Sequence, residues 1–388
     1  MSVYGIISEF NPFHNGHRYL FDAARRDGAQ AIVCVMSGNA VQRGELSVTD
    51  KYRRAQMALL CGADLVLELP YPWCASGAES FARAGVHIVS EFADTLFFGS
   101  ECADIAELRA AAQICAKDSF AEEYKEKLVG NSGSAQTYFD LLRQKTGREY
   151  LSNDILGIEY IKAAMQLGKD MAFSTVKREG GAYLADEVCG GDIQSATAIR
   201  KLIQGGKIEE VSRFMPEQSF SVLKQAVSDG AVSDQGRIEN AIKLFFRLSN
   251  PEDLAEIAEL DAGLAARICN EARECPGELI EALKTKRYTD ARLRRALLSA
   301  LCGVKKSDLA RMPEYVNLLG ANCVGRELLS KRRKDTGIAV LAKAADIPST
   351  ELSARQAELS ERLDSIFTLS LGTPGSASEM IKKGPIII

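Results

Sequence analysis

The stretch from Gly5 to Leu20 constrains this chain more than any other. The apolar run Val3 to Ile7 reads as a buried strand, Asn11-Pro12 as a turn, and Gly16 as the opening of an amphipathic run with Tyr19, Leu20 and Ala23 on one face. A strand, a tight loop and a helix start follow one another there. Such a junction presents unpaired backbone N–H groups and the positive end of a helix dipole, which suits it to hold phosphate. His14 and His17 lie in it, two of only 3 histidines in the chain. A His-x-x-His pair on a loop has two other readings, a solvated turn or half of a metal site. The metal reading lacks support, because the remaining histidine is His87 and no acidic or cysteine cluster stands at ligand spacing nearby.

The pattern continues for about the first half of the chain. Further short apolar runs, Ala31 to Met36, Leu65 to Leu69 and Thr95 to Phe98, alternate with helical segments. One segment is expected to be capped by Thr49 and to run to about Cys61; another covers Ala78 to Glu91. Buried strands separated by helices predict βαβ units and a parallel sheet with helices on both faces. Ligands of such sheets sit at the carboxyl ends of the strands, where His14, Ser37 and Gly99 fall. From Ile105 to about Gly168 the spacing is helical, with breaks at Gly130 to Gly133 and Gly147 to Asn153. The chain then returns to the sheet through Met171 to Val176. Gly180-Gly181 and Gly190-Gly191 bracket a loop expected to be mobile when empty, and Ser195 is placed to cap a helix through Ile203 that stops at Gly205-Gly206.

Several of these segments together resemble one family. Asn11-Pro12-Phe13-His14-Asn15-Gly16-His17 after a strand resembles the His-x-Gly-His signature of the nucleotidyltransferase superfamily. Met36-Ser37-Gly38, Gln42-Arg43-Gly44-Glu45, Asp64 to Pro70, Leu96 to Glu101, Asn153 to Gly157, Ser195 to Arg200 and Leu283 to Thr289 extend the likeness to the bacterial tRNA-Met cytidine acetate ligases. The chain departs from that family at Gln194, where an Ile is typical.

The resemblance implies a Rossmann-like nucleotidyltransferase domain over residues 1–205, with a parallel sheet, and a mainly α-helical tRNA-binding domain over 206–388. It implies that acetate and ATP give acetyl-adenylate and pyrophosphate, and that the acetyl group passes to N4 of the wobble cytidine of elongator tRNA-Met. His14, His17 and Arg200 would be catalytic, stabilising charge on the phosphates and on the leaving pyrophosphate. ATP contacts would come from Ile7, Ser8, Glu9, Gly16, Gly99, Asn153, Arg178, Ser195 and Thr197 as well. Mg²⁺ would be carried by the ATP phosphates, since no dedicated carboxylate cage is apparent and no metal ligands are assigned. Two other functions share these motifs: a small-molecule adenylyltransferase, and a non-catalytic nucleotide-dependent RNA-binding protein.

The net charge is −4, so any nucleic-acid contact must come from a local basic patch. One segment fits: Lys284, Lys286, Arg287, Arg292, Arg294 and Arg295 against the single acidic Asp290, with Tyr288 among them. Lys284, Lys286, Arg287, Arg294 and Arg295 are the expected tRNA contacts. A second run, Lys331-Arg332-Arg333-Lys334, follows. A charge run is ordinarily a solvated helix face, and either could be that. Beyond Lys207 strand signals almost vanish and helical spacing dominates, as in Leu254 to Arg267. The tail from about Thr373 reads equally as a tether or a docked strand. Scattered cysteines without a Cys-x-x-Cys pair, no membrane-length apolar run and no signal peptide lead to the expectation of a cytoplasmic protein with reduced thiols.

Overall fold

The computed structural model describes residues 1–128, 134–178, 191–285, 287–332 and 336–388. The expected mobile loop from Gly180-Gly181 to Gly190, the break at Gly130 to Gly133, and Lys286, Arg333 and Lys334 lie outside them.

The chain begins with β1 (Val3–Ser8), α1 (Asn15–Arg26), β2 (Ala31–Ser37), α2 (Lys51–Leu60), β3 (Leu65–Leu69), α3 (Ala78–Val89) and β4 (Thr95–Ser100). Four helices follow, α4 (Ile105–Cys115), α5 (Asp118–Leu128), α6 (Ser134–Thr146) and α7 (Ser152–Leu167), then β5 (Ala172–Lys177) and α8 (Ala196–Gln204). These strands pair in parallel in the order β5-β4-β1-β2-β3. β2 and β3 are buried along their whole length, as a sheet covered on both faces requires. Strand order reverses at β1, so β1 and β4 part at their carboxyl ends and open a crevice there.

The remaining helices are α9 (Ile208–Val211), α10 (Glu217–Ser228), α11 (Glu239–Leu248), α12 (Ala262–Glu274), α13 (Leu279–Leu283), α14 (Asp290–Cys302), α15 (Lys306–Ala310), α16 (Cys323–Arg332), α17 (Glu351–Ser370) and α18 (Ala377–Lys382). The second part is mainly helical as expected, and it also returns three short strands to the sheet. β6 (Tyr315–Ala321) pairs antiparallel with β3, and β7 (Ala339–Leu341) and β8 (Ile386–Ile387) each pair in parallel with β6. Tyr315-Val316-Asn317-Leu318-Leu319 is a short apolar run whose leucines suit helix and strand alike, so the neighbouring strand decides. β8 settles the tail as docked.

Two local expectations also shift. α2 is capped by Asp50, whose carboxylate accepts from the N–H groups of Tyr52 and Arg53, and not by Thr49. The run Leu254 to Arg267 is broken before Ala262, where Asp261 accepts from the Leu264 N–H and starts α12 afresh. Apolar spacing persists through that break because both pieces pack on one core, formed by Phe246, Leu254, Leu264, Ile268, Leu283 and Leu293 among others. This core, between α11 and α14, is separate from the larger one that the sheet shares with α10 and α17.

Candidate active site

His14 is the N-cap of α1, and both histidines are built into that cap. The Gly16 N–H donates to His14 Nδ1 at 3.0 Å, and the His14 N–H donates to His17 Nδ1 at 3.2 Å. Each Nδ1 therefore acts as an acceptor, which leaves Nε2 as the protonated nitrogen of a neutral ring. The rings lie 3.9 Å apart between centroids, and His17 also packs on Phe10 and Phe13 at 5.0 and 5.4 Å. The pair is half-buried and part of an aromatic cluster, not a solvated turn. Gly16 is required at its place, because a Cβ there would sit 2.8 Å from His14 Cε1.

Burial, then the nearby Arg178 and Arg200 guanidinium groups, brings the His14 pKa down to about 3. Burial, then His14 and Arg178, holds His17 well below its ordinary value too. The imidazoles are thus neutral N–H donors in the free protein, and an arriving polyanion would act in the opposite sense to the two arginines. Between pH 6.5 and about 3 the unfolded chain binds a proton that folded His14 refuses, so stability present above pH 6.5 is lost as the pH falls toward 3. His14→Asn keeps a capping acceptor and removes the titrating ring. Its melting temperature should fall less steeply than wild type from about pH 7 to about pH 4; parallel curves would mean that the ring titrates normally.

Around the histidines, the ends of β1 and β4 and the starts of α7 and α8 complete a cleft of about 220 Å³. Ile7, Ser8, Glu9, His14, Gly16, His17, Gly99, Asn153, Arg178, Ser195, Thr197 and Arg200 all line it. One wall is apolar, with Ile6, Leu20, Phe81, Phe98, Leu156 and Tyr160. Ser195 caps α8 through the Ala198 N–H at 3.1 Å, which aims that helix start at the cleft. Gln194, where the sequence departs from the family pattern, is buried and donates to the Gly191 carbonyl at 3.4 Å. Arg200 donates to the Asn11 carbonyl at 3.0 Å and to Glu45 at 3.0 Å, so its guanidinium is held in place without any ligand. Burial raises the Glu9 pKa, against the Gln42 N–H that it accepts and the charges of Arg200 and Arg43.

Three further residues hold this cleft together. Glu101 accepts from Asn153 Nδ2 at 2.6 Å and from the Asp154 N–H at 3.1 Å, and Arg178 in turn donates to Asn153 Oδ1 at 3.3 Å. Asp154 draws together Ser100 Oγ at 2.6 Å and the Glu101 and Cys102 N–H groups, fixing the end of β4 against the start of α7. Arg54, fully buried, donates to the carbonyls of Glu9, Ser37, Gly38 and Thr49 and so clamps the ends of β1 and β2. Burial lowers its pKa to about 10, with Asp50 the largest opposing charge. Glu101 and Asp154 fall within segments that carry the family likeness, whereas nothing in the sequence distinguishes Arg54 from other helix arginines.

The expected tRNA residues divide in two. Lys284 and Arg287 are exposed; Lys284 pairs with Glu281 and Asp290 at 2.7 and 3.2 Å, and Arg287 lies 5.3 Å from the Tyr288 ring centre. Arg294 and Arg295 are only partly exposed and turn toward the cleft side, paired with Glu45 at 3.1 Å and Glu259 at 2.7 Å. In the second basic run, Lys331 pairs with Glu327 and Arg332 with Asp94, each at 2.6 Å. Among the described residues no group of three or more His, Cys, Asp or Glu is gathered that could hold a metal ion, and no helix is long and apolar enough to cross a membrane.

Comparison with known proteins adds to this geometry. Residues 1–379 match the family HIGH Nucleotidyl Transferase. The chain is 36% identical over 381 residues to a tRNA(Met) cytidine acetate ligase of Clostridium perfringens, covering 92% of this chain and 94% of that one. It is 33% identical over 383 residues to that of Listeria monocytogenes, covering 96% of each. The crystal structure of Thermotoga maritima TmcAL, apo form I, superposes with a TM-score of 0.92 at 30% identity over 100% of both chains. The same protein bound with alpha-thio ATP superposes with a TM-score of 0.90 at 30% identity, over 100% of this chain and 99% of that one.

Proposed function

The chain belongs to the HIGH nucleotidyl transferase family and, within it, to the tRNA(Met) cytidine acetate ligases, and from that membership we propose its reaction. The protein is an ATP-dependent ligase. An acetate oxygen attacks the α-phosphorus of ATP, the bond to the β-phosphate breaks, and acetyl-adenylate and pyrophosphate form. N4 of the wobble cytidine of elongator tRNA-Met then attacks the acetyl carbonyl, loses a proton and expels AMP. The single observation that carries this reading is the convergence of His14, His17 and Arg200 on one cleft at the strand-order reversal, beside two helix starts.

Acetate needs no general base, so the first step asks the protein for donors aimed at phosphoryl oxygens. His14 and His17 supply neutral N–H donors, while Arg200 and the start of α8 with Ser195 and Thr197 face the departing pyrophosphate. Gly99 and Asn153 hold the nucleoside end with Ile7, Ser8 and Glu9, and Arg178, whose charge acts on both histidines, reaches phosphate. Mg²⁺ enters with the ATP phosphates as part of the substrate. The division of labour puts ATP on residues 1–205 and tRNA on 206–388, in a cytoplasmic enzyme.

The test is whether acetate, without RNA, makes the protein exchange labelled pyrophosphate into ATP. Exchange with transfer of labelled acetate to tRNA supports the full reaction. Exchange without RNA affinity would indicate a small-molecule adenylyltransferase, and RNA binding without exchange a non-catalytic protein. A double reversal, Lys284→Glu with Arg287→Glu, should cut tRNA binding and acetyl transfer while sparing exchange, because both side chains are exposed and neither lines the cleft. The slope of log affinity against log salt should become shallower by about one for each phosphate that is no longer neutralised. Equal loss in both reactions would mean that the segment is structural.

A further inference from the structure

The segment Ala40 to Leu46 forms a small finger, closed by pairing of Ala40 with Leu46 and by a Val41 N–H to Glu45 carbonyl bond of 3.0 Å. It touches both the cleft and the helical core. On the cleft side, Glu45 Oε2 accepts from Arg200 Nη2 at 3.0 Å, and the Gln42 N–H donates to Glu9 Oε1 at 2.9 Å. On the other side, Glu45 Oε1 accepts from Arg294 Nη1 at 3.1 Å, and Arg295 Nη1 donates to the Gln42 carbonyl at 3.4 Å. Gly44, at φ +74, presses the backbone of the finger onto α14: a Cβ there would lie 2.4 Å from the Arg295 nitrogen.

Arg294 does not line the cleft, yet one carboxylate joins it to Arg200, which does. The side chains of Arg200, Glu45 and Arg294 are 14%, 17% and 30% exposed, so their mutual attraction is screened less than on an open surface. Glu45 alone would place an uncompensated negative charge beside the position of an incoming triphosphate. With Arg294 on its other oxygen, the carboxylate is held in one orientation, its charge is offset, and Arg200 is left aimed by Asn11 and Glu45 together. We propose that Arg294 is a positioning residue for adenylate formation, acting through Glu45 on Arg200, so that a helix of the RNA-binding part helps to set the ATP site. The proposal rests on the reading of the cleft as the adenylation site.

The test uses the full chain without RNA: wild type, Glu45→Gln, Arg294→Gln, the double variant and Arg294→Lys. Acetate-dependent pyrophosphate exchange should fall about tenfold to a hundredfold in each Gln single variant, as a small misplacement of a reacting group does. The double variant should be no worse than the poorer single one, because both substitutions cut the same link. Arg294→Lys should restore most of the rate, since it returns the charge without the planar fork. Exchange by Arg294→Gln within about twofold of wild type, or single losses that multiply in the double variant, would overturn the proposal. If Arg294→Gln melts below the assay temperature, the same cycle is run at a lower temperature at which all four proteins are folded, where the same non-additivity is expected and multiplication of losses overturns it. Absence of exchange in wild type is a different failure, that of the adenylation reading. Calorimetric ATP affinities of the same proteins then decide the link, with coupling between positions 45 and 294 supporting it and additivity overturning it.

Discussion

Replacement of His14 or His17 by Asn is expected to lower acetate-dependent pyrophosphate exchange by about 10² to 10³ while the protein stays folded. The geometry makes the substitution informative. Each Nδ1 accepts a backbone N–H inside the α1 cap, and an Asn oxygen can take that place; what is lost is the Nε2–H, the donor proposed for the phosphates. The two variants should differ in stability. His17 packs edge-on against Phe10 and tilted on Phe13, so its loss should lower the melting temperature more than loss of His14. Exchange at the wild-type rate in either folded variant would remove that histidine from the mechanism. Burial first, then neighbouring charges, keeps both rings neutral in the free protein, so kcat/KM for ATP, which reports free-enzyme groups, should not drop as the pH rises through 6.5, as it would if imidazolium were needed.

Lys51→Met should cost about 3–5 kcal/mol of stability, the usual consequence of removing one partner from a buried ionic group. Lys51 Nζ lies 3.0 Å from Glu68 and 3.4 Å from Asp364, with all three side chains at most 5% exposed. Burial alone would push the Lys51 pKa down; Asp364, then Glu68, overcome this and raise it. The other carboxylate oxygens accept from Asn39 at 2.7 Å and from Asn317 at 2.7 Å, so every partner is itself held. Methionine would leave two carboxylates facing each other out of water, and burial already pushes the Asp364 pKa up. Adding Asp364→Asn and Glu68→Gln to Lys51→Met should recover part of the loss, because the uncompensated charges disappear. Urea unfolding with unchanged slope measures both; a loss under about 1 kcal/mol for Lys51→Met would mean that water or rearrangement relieves the pair. The group joins α2, β3, β6 and α17, and through Asn39 it anchors the base of the finger that carries Glu45.

Elements with local signals are legible in the chain. The strand, loop and cap from Val3 to Arg26, the five parallel strands and the Ser195 cap are written in apolar runs and turn residues a few positions apart. His14 and Gly99 of the cleft lining follow from the carboxyl ends of such strands, though Ser37, expected there too, does not line it, and Asn153, Arg178, Thr197 and Arg200 are implied by the family resemblance. Which charge meets which is set by long-range folding. Arg200 and Glu45 are 155 positions apart, Glu45 and Arg294 249, and Asn39 and Asp364 325. The same basic residues that read as one run separate into exposed Lys284 and Arg287 and inward-turned Arg294 and Arg295, since a helix face is solvated or buried by what packs on it. β6 likewise became a strand because β3 offered it an unpaired edge. Periodicity reports which side of a segment is apolar, but a charge acquires its partner, and an ambiguous segment its form, from neighbours brought close by folding.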